Sequence, residues 1–127
     1  MIAVDTSALV AILLDEPRKD DCITALSNDN DVLISAGTLA EASIIAACRG
    51  LSADLASLVE KMGFEVVAVT HDTTARIGQI YAKWGKGIHP ASLNFGDCFA
   101  YDVAREHSCP LLFIGNDFSR TDIQSAI

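Results

Sequence analysis

Four short, largely apolar runs divide the sequence, and segments with helical spacing separate each run from the next. The runs are IAV at 2–4, VLIS at 32–35, FEVVAV at 64–69 and PLLFIG at 110–115. They do not alternate between apolar and polar residues, which is typical of parallel strands buried on both faces of a sheet. Parallel strands need long crossover connections, usually helices, so this order of elements predicts an α/β fold with a central parallel sheet.

The segments between the runs carry recognisable helix boundaries. Pro17 ends the first helix, Asn94 is placed to cap the last, and glycines close three others at Gly50, Gly63 and Gly85. The predicted helices cover 7–16, 18–28, 38–50, 52–63, 71–85 and 95–107, with a loop at 86–94 and turns at 116–123. At 127 residues, half of them hydrophobic, the chain is expected to form one domain, 1–127, around one core.

The composition argues against several classes of protein. No apolar stretch approaches the 18 or so residues of a transmembrane helix, and no Lys or Arg precedes Arg18, so a secretory signal is not expected. The cysteines show neither C-x-x-C spacing nor a neighbouring histidine, which disfavours zinc. They are Cys22, Cys48, Cys98 and Cys109. Reduced thiols in a cytoplasmic protein are the expectation.

Four carboxylates stand alone in otherwise uncharged sequence, and we call them the acidic quartet: Asp5, Glu41, Asp97 and Asp117. Asp5 is the only charge in residues 1–14, and Glu41 is the only charge in residues 32–48. No Lys or Arg lies within seven residues of Asp5, Glu41 or Asp97 along the chain, and the nearest to Asp117 is Arg120. Burying an unpaired carboxylate costs several kcal/mol, roughly, unless something compensates it. Each of the four therefore needs a cation from elsewhere, or its carboxylate is not buried.

The quartet is also expected to converge. Asp5 and Asp117 follow apolar runs, whereas Asp97 and Glu41 fall in the first turns of predicted helices, so all four are predicted at one rim of the sheet. Carboxylates gathered this way stay ionised around hard divalent cations, and Mg²⁺ and Mn²⁺ prefer oxygen ligands. Each residue alone also fits a simpler role: Asp5 as a helix cap, Asp97 at a helix dipole, Glu41 in solvent and Asp117 in an Asx-turn.

Four segments resemble the PIN-domain ribonucleases, and specifically the VapC toxins of bacterial toxin–antitoxin pairs. They occur in the family's order and span nearly the whole chain. They are MIAVDTSALVAILLDEP at 1–17, ISAGTLAEASI at 34–44, HPASLNFGDCFAYDVA at 89–104 and PLLFIGNDFSRTDI at 110–123. The resemblance implies a three-layer α/β/α fold, an acidic site for Mg²⁺ or Mn²⁺ and cleavage of RNA. It also implies a VapB-type antitoxin as partner and a homodimer, for which the apolar helices at 39–48 and 51–62 are a possible face.

By position, the acidic quartet matches the family's catalytic acids, with Asp5 and Asp97 at the positions usually given as direct metal ligands. Ser7 matches the small hydroxyl residue after the first Asp. Ser7 and Asn116 are supporting candidates that can hydrogen-bond a ligand water or a phosphate oxygen; a turn hydroxyl and a turn amide are the simpler interpretations. One departure is Ile114, which stands where relatives often carry Lys, so one possible phosphate contact is lost.

The chemistry predicted from these residue types is metal-assisted hydrolysis of a phosphodiester bond, with in-line attack leaving a 5′-phosphate and a 3′-hydroxyl. The net charge of −8 repels RNA at long range, so RNA binding needs a local basic surface. Lys83, Trp84 and Lys86, beside a glycine-rich loop, are the candidate RNA contacts, with Trp84 able to stack on an unpaired base. A core tryptophan with two solvated lysines is the simpler interpretation.

Two alternatives remain open at this point. A Mg²⁺-dependent phosphohydrolase or a phospho-receiver domain also places an Asp after a parallel strand. The phosphatase pattern wants D-x-D, however, and here Ser7 occupies the second acidic place; a receiver wants a Lys after a late strand, and LLFIGND has none. The second alternative is an inactive PIN-like module that only binds RNA or a protein, in which the carboxylates are structural.

Overall fold

The computed structural model describes residues 1–127 and contains four parallel strands and six helices. In chain order they are β1 (Ile2–Val4), α1 (Thr6–Leu13), α2 (Lys19–Ser27), β2 (Val32–Ser35), α3 (Ala36–Cys48), α4 (Ser52–Lys61), β3 (Glu65–Val67), α5 (His71–Trp84), α6 (Phe95–Glu106) and β4 (Leu111–Leu112). The strands lie in the order β3-β2-β1-β4, so β1 is central and pairs with both β2 and β4. The predicted parallel α/β architecture is confirmed.

Two separate apolar clusters cover the two faces of the sheet. Successive strand residues point to opposite faces, and accordingly Ile2 and Val4 belong to one cluster while Ala3 between them belongs to the other. The first cluster is completed by helices α1 to α4 and the second by α5 and α6. The molecule is therefore a three-layer α/β/α sandwich, as the sequence resemblance implied.

One strand departs from the prediction of full burial. β3 is mostly exposed, with Val66 retaining 46 % of its accessible surface, whereas every residue of β1, β2 and β4 is buried. β3 lies at the edge of the sheet and pairs only with β2. The sequence run FEVVAV was misleading because its apolar residues do not reveal whether a strand lies in the middle of a sheet or at its edge.

Element boundaries shift by a few residues for local reasons. α1 ends at Leu13 rather than at residue 16, and Asp15 shortly after it has a left-handed φ of +54°. α3 begins two residues earlier than predicted because the Ser35 side chain accepts a hydrogen bond from the Gly37 amide. β4 is short, and Gly115 beyond it has a φ of +99°, where the chain turns away from the sheet.

The last residues return to the sheet beside β4. The Leu111 amide donates to the Gln124 carbonyl, and the Ala126 amide donates to the Leu111 carbonyl. Between the last two helices, Arg76 of α5 donates two hydrogen bonds to the buried carboxylate of Asp102 on α6. All four cysteines are free, and none of the helices combines the length and apolar character needed to span a bilayer.

Candidate active site

The four members of the acidic quartet lie at the carboxyl end of the sheet. Asp5 directly follows β1, Asp97 is in the first turn of α6, and Asp117 is in the exposed loop after β4. Glu41 is half-buried in the second turn of α3, one turn later than predicted because α3 starts at Ala36. The negative charges of the other three all raise the pKa of Asp97, so all three lie within electrostatic range of that residue.

Asp5 is held by its own helix. Its Oδ2 accepts hydrogen bonds from the Ser7 amide at 3.0 Å and from the Ser7 hydroxyl at 2.6 Å, so Asp5 is the N-cap of α1. The Ser7 hydroxyl in turn accepts a hydrogen bond at 3.0 Å from the amide of Ile114, a residue just beyond β4. Ser7 therefore joins the ends of two neighbouring strands and orients Asp5. Its proton is already donated to that carboxylate, so Ser7 is a positioning residue in this arrangement.

A capping box holds Asp97. Its Oδ2 accepts a hydrogen bond from the Asn94 amide at 3.0 Å, while its own amide donates to Asn94 Oδ1 at 2.8 Å. The predicted cap at Asn94 is confirmed. This reciprocal pair fixes both the start of α6 and the orientation of the Asp97 carboxylate.

Burial without a counter-charge perturbs the two inner carboxylates. Asp5 and Asp97 are only 5 % and 8 % exposed. Burial is the main reason that the pKa of Asp97 rises to about 7, with further contributions from Asp5, Asp117 and Glu41. Burial also raises the pKa of Asp5, and the charge of Glu41 adds to that effect. Several of the chain's other carboxylates form ion pairs, but none of the quartet does.

Close packing brings Glu41 to the start of α6. A Cβ atom at position 96 would overlap the Glu41 carboxylate, so any residue larger than glycine would displace the Glu41 side chain. One turn earlier on α3, Gly37 faces the Phe99 ring, where an added Cβ would lie 2.6 Å from ring carbons. Sequence analysis overlooked Gly96; the signal was a glycine in the first turn of a helix, directly before an isolated Asp.

The donor set fits a hard divalent cation. All four side chains offer carboxylate oxygens, two of them are buried, and no Lys or Arg pairs with them. No three His, Cys, Asp or Glu side chains are grouped closely enough to ligate one ion together. Mg²⁺ commonly keeps several waters and is held by only one or two carboxylates, so binding of such an ion does not require three protein ligands.

Asn116, a supporting candidate, and Trp84, an RNA-contact candidate, make contacts with residues outside the quartet. Asn116 is exposed, and its backbone carbonyl accepts hydrogen bonds from the backbone amide and the hydroxyl of Ser119. Trp84 is half-buried, and its indole N–H donates to the Tyr101 hydroxyl at 3.0 Å, with Lys83 Nζ over its ring at 4.9 Å. These contacts account for Trp84 as a packing residue.

The remaining candidate positions lie either on the surface or against the core. Lys83 and Lys86 are both exposed, and their contact with RNA stays a prediction. Ile114 packs against the apolar cluster that α1 to α4 form, so its side chain contributes to the core.

Removing or adding metal is expected to change stability in a pH-dependent way. The folded metal-free protein holds protons on Asp97 and Asp5 that the unfolded chain releases above pH ~4. Its melting temperature in EDTA should therefore fall as pH rises toward about 7, the pKa of Asp97. Saturating Mn²⁺ should raise it by several degrees at pH 8 and much less at pH 5, because protons compete with the metal.

Differential scanning fluorimetry at pH 5, 6, 7 and 8, with EDTA or with Mn²⁺, measures both effects. Glu65→Gln, at an exposed position of the edge strand β3, is the control and should keep the wild-type profile. An Mn²⁺ effect of the same size at pH 5 and pH 8 would contradict metal binding by carboxylates with raised pKa values.

Comparisons with known proteins point to one family. A family model described as the PIN domain matches residues 2–124. Ribonuclease VapC30 of Mycobacterium tuberculosis is 38 % identical over 127 residues, which cover 96 % of this chain and 95 % of that protein.

Two solved structures share the fold at low sequence identity. They are the M. tuberculosis toxin VapC20, which cleaves the sarcin–ricin loop, and a toxin–antitoxin complex from Klebsiella pneumoniae. The first has a TM-score of 0.79 at 19 % identity and covers 97 % of this chain and 96 % of its own. The second has a TM-score of 0.72 at 18 % identity and covers 96 % of this chain and 93 % of its own.

Proposed function

This chain belongs to the PIN-domain family, among its VapC-type toxins, and from that premise we propose that it is a Mg²⁺- or Mn²⁺-dependent endoribonuclease, the toxin of a toxin–antitoxin pair. The observation that carries the proposal is the convergence of four carboxylates, two of them buried, with no cationic side chain to neutralise them. Such a site binds divalent metal ions, and metal-bound water is the usual nucleophile for phosphodiester hydrolysis.

Each side chain has a distinct role in this proposal. Asp5 and Asp97 would hold the ion directly, because they are the most buried of the quartet and their orientations are fixed by hydrogen bonds. Glu41 and Asp117 would accept hydrogen bonds from the water molecules around the ion. A bound divalent cation lowers the pKa of an attacking water and stabilises the leaving 3′ oxygen. Ser7 keeps Asp5 in place and ties it to the end of β4.

RNA binding must overcome the net charge of −8. Bound metal would offset part of the quartet's charge. The exposed Lys83, in the last turn of α5, and Lys86, in the loop that leads into α6, offer phosphate contacts. Asn116, exposed next to Asp117, is a further candidate for a phosphate oxygen. Trp84 is the weakest of the RNA-contact candidates because Lys83 and Tyr101 already engage its ring.

The family membership also supports a protein partner. We propose that a VapB-type antitoxin neutralises the chain in the cytoplasm by covering the acidic site with a segment that carries a basic side chain. We also propose that the chain forms a homodimer. The absence of any Lys or Arg partner for the quartet supports the first proposal, because an arriving basic side chain would find the carboxylates unpaired.

Cleavage of RNA by the purified protein tests the proposed function. After treatment with EDTA, the protein should cut structured RNA only when Mg²⁺ or Mn²⁺ is restored, leaving 5′-phosphate and 3′-hydroxyl ends. Equimolar antitoxin, encoded beside the toxin gene, should suppress the cleavage. Intact RNA together with hydrolysis of p-nitrophenyl phosphate would favour the phosphohydrolase, and the absence of both activities would favour the inactive binding module.

A further inference from the structure

Phe95 is the most exposed large apolar side chain of the molecule, with 70 % of its surface accessible, and it lies beside the acidic site. It is the first residue of α6, between the cap residue Asn94 and Gly96. Consecutive Cα atoms are about 3.8 Å apart, so the Cα atoms of Phe95 and Asp97 are within about 7.6 Å. Residues two apart on a helix point in different directions, so the ring flanks the Asp97 carboxylate rather than facing it. Phe99, on which the ring packs, reaches Gly37 of α3, one turn before Glu41. The ring is therefore placed to meet a nucleotide next to the phosphate that the carboxylates and a metal would engage.

The ring is exposed yet held in place. It packs edge-to-face on Phe99, one turn later on α6, with ring centroids 5.0 Å apart and planes at 86°. Phe99 in turn rests on Gly37 of α3, and the backbone of Phe95 is fixed by the capping box at the start of the helix. Phe95 therefore presents a pre-oriented aromatic surface to solvent, and it belongs to neither apolar cluster of the core.

We propose that Phe95 stacks on an unpaired base next to the scissile phosphate and so positions the RNA for cleavage. The inference rests on the proposed ribonuclease function and extends it to a specificity-determining residue. No Lys or Arg is paired with a carboxylate of the quartet, so an RNA strand at the metal-free site meets uncompensated negative charge. A neutral aromatic ring contributes binding free energy there all the same, because base stacking is largely independent of charge.

Steady-state cleavage kinetics of Phe95 variants provide the test. With an RNA whose cleavage site has been mapped, Phe95→Ala should raise KM by about 5- to 100-fold and leave kcat within about threefold, the range expected for loss of one base–aromatic stack. Phe95→Trp should keep the wild-type KM, whereas Phe95→Leu, apolar but unable to stack, should resemble Phe95→Ala. Val66→Ala removes another exposed apolar side chain, on the edge strand β3, and should change nothing.

An abasic substitution in the RNA identifies the stacked base. Removing one base that flanks the cleavage site should raise KM for the wild type but not for Phe95→Ala, because the partner ring is already gone. Equal effects on both proteins would overturn the proposal, as would an unchanged KM for Phe95→Ala. If instead Phe95→Ala weakens only antitoxin binding or self-association, the ring is a protein contact and the proposal fails.

A reporter that needs no turnover separates this inference from the proposed function. 2-Aminopurine at the same RNA position loses fluorescence when it stacks, so the wild type should quench it and Phe95→Ala should not. Quenching without cleavage would contradict the ribonuclease function and leave the stacking role standing. Cleavage without quenching would support the ribonuclease function and contradict the stacking role of Phe95. Melting temperatures of all variants, measured in the same buffer, confirm that each one is folded.

Discussion

Asp97→Asn is expected to abolish metal-dependent RNA cleavage while making the metal-free protein more stable at pH 8. Burial and three neighbouring carboxylates raise the pKa of Asp97 to about 7, so at pH 8 the folded state carries an ion that its surroundings disfavour. A neutral amide removes that penalty and keeps an oxygen that can accept the hydrogen bond from the Asn94 amide. Loss of an outer partner of a metal ligand typically lowers activity about 10- to 100-fold. Loss of a direct ligand should therefore cost more than about 100-fold.

Two measurements on the same preparation check this prediction. Initial rates of RNA cleavage in Mn²⁺ give the loss of activity, and melting curves in EDTA at pH 5 and pH 8 give the change in stability. The gain in melting temperature should appear at pH 8 and shrink at pH 5, where the wild-type carboxyl is already protonated. Glu65→Gln removes an equal charge from an exposed position of β3 and should alter neither quantity. Wild-type activity in Asp97→Asn would exclude Asp97 as a metal ligand.

Gly96→Ala is expected to reduce cleavage by at least about tenfold without unfolding the protein. The added methyl group would overlap the Glu41 carboxylate and force it away from the start of α6. Alanine is a better helix former than glycine by about 1 kcal/mol, so α6 itself should not weaken. Displacing Glu41 should act on the metal's water shell, where such changes cost about 10- to 100-fold.

The chain offers a matched control and a route to rescue. Gly78→Ala places a methyl group on the exposed side of α5 with no atom within 4 Å, so it should leave cleavage unchanged and stabilise the fold by about 0.5–1 kcal/mol. In a double variant, Glu41→Asp shortens the opposing side chain and should restore part of the activity lost in Gly96→Ala. Strictly additive losses in that double variant would show that the two residues do not interact.

Much of the molecule could be predicted from local patterns in the sequence. The short apolar runs predicted a parallel sheet with helices between its strands, and the isolated charges predicted which carboxylates gather at its carboxyl end. Both inferences use properties that neighbouring residues reveal, namely hydrophobic periodicity and the absence of a nearby counter-charge. The same reasoning failed for β3, because the position of a strand within a sheet depends on which elements pack beside it.

The sequence by itself determined the elements, the acidic quartet and the caps at Asp5 and Asn94, because each of these depends on residues a few positions apart. Only the tertiary structure decided that the Ser7 hydroxyl joins Asp5 to the Ile114 amide, 107 residues further along the chain. It also decided that Gly96 makes room for Glu41. These contacts arise from how helices and strands pack, and packing brings together side chains whose separation in sequence carries no signal of their contact.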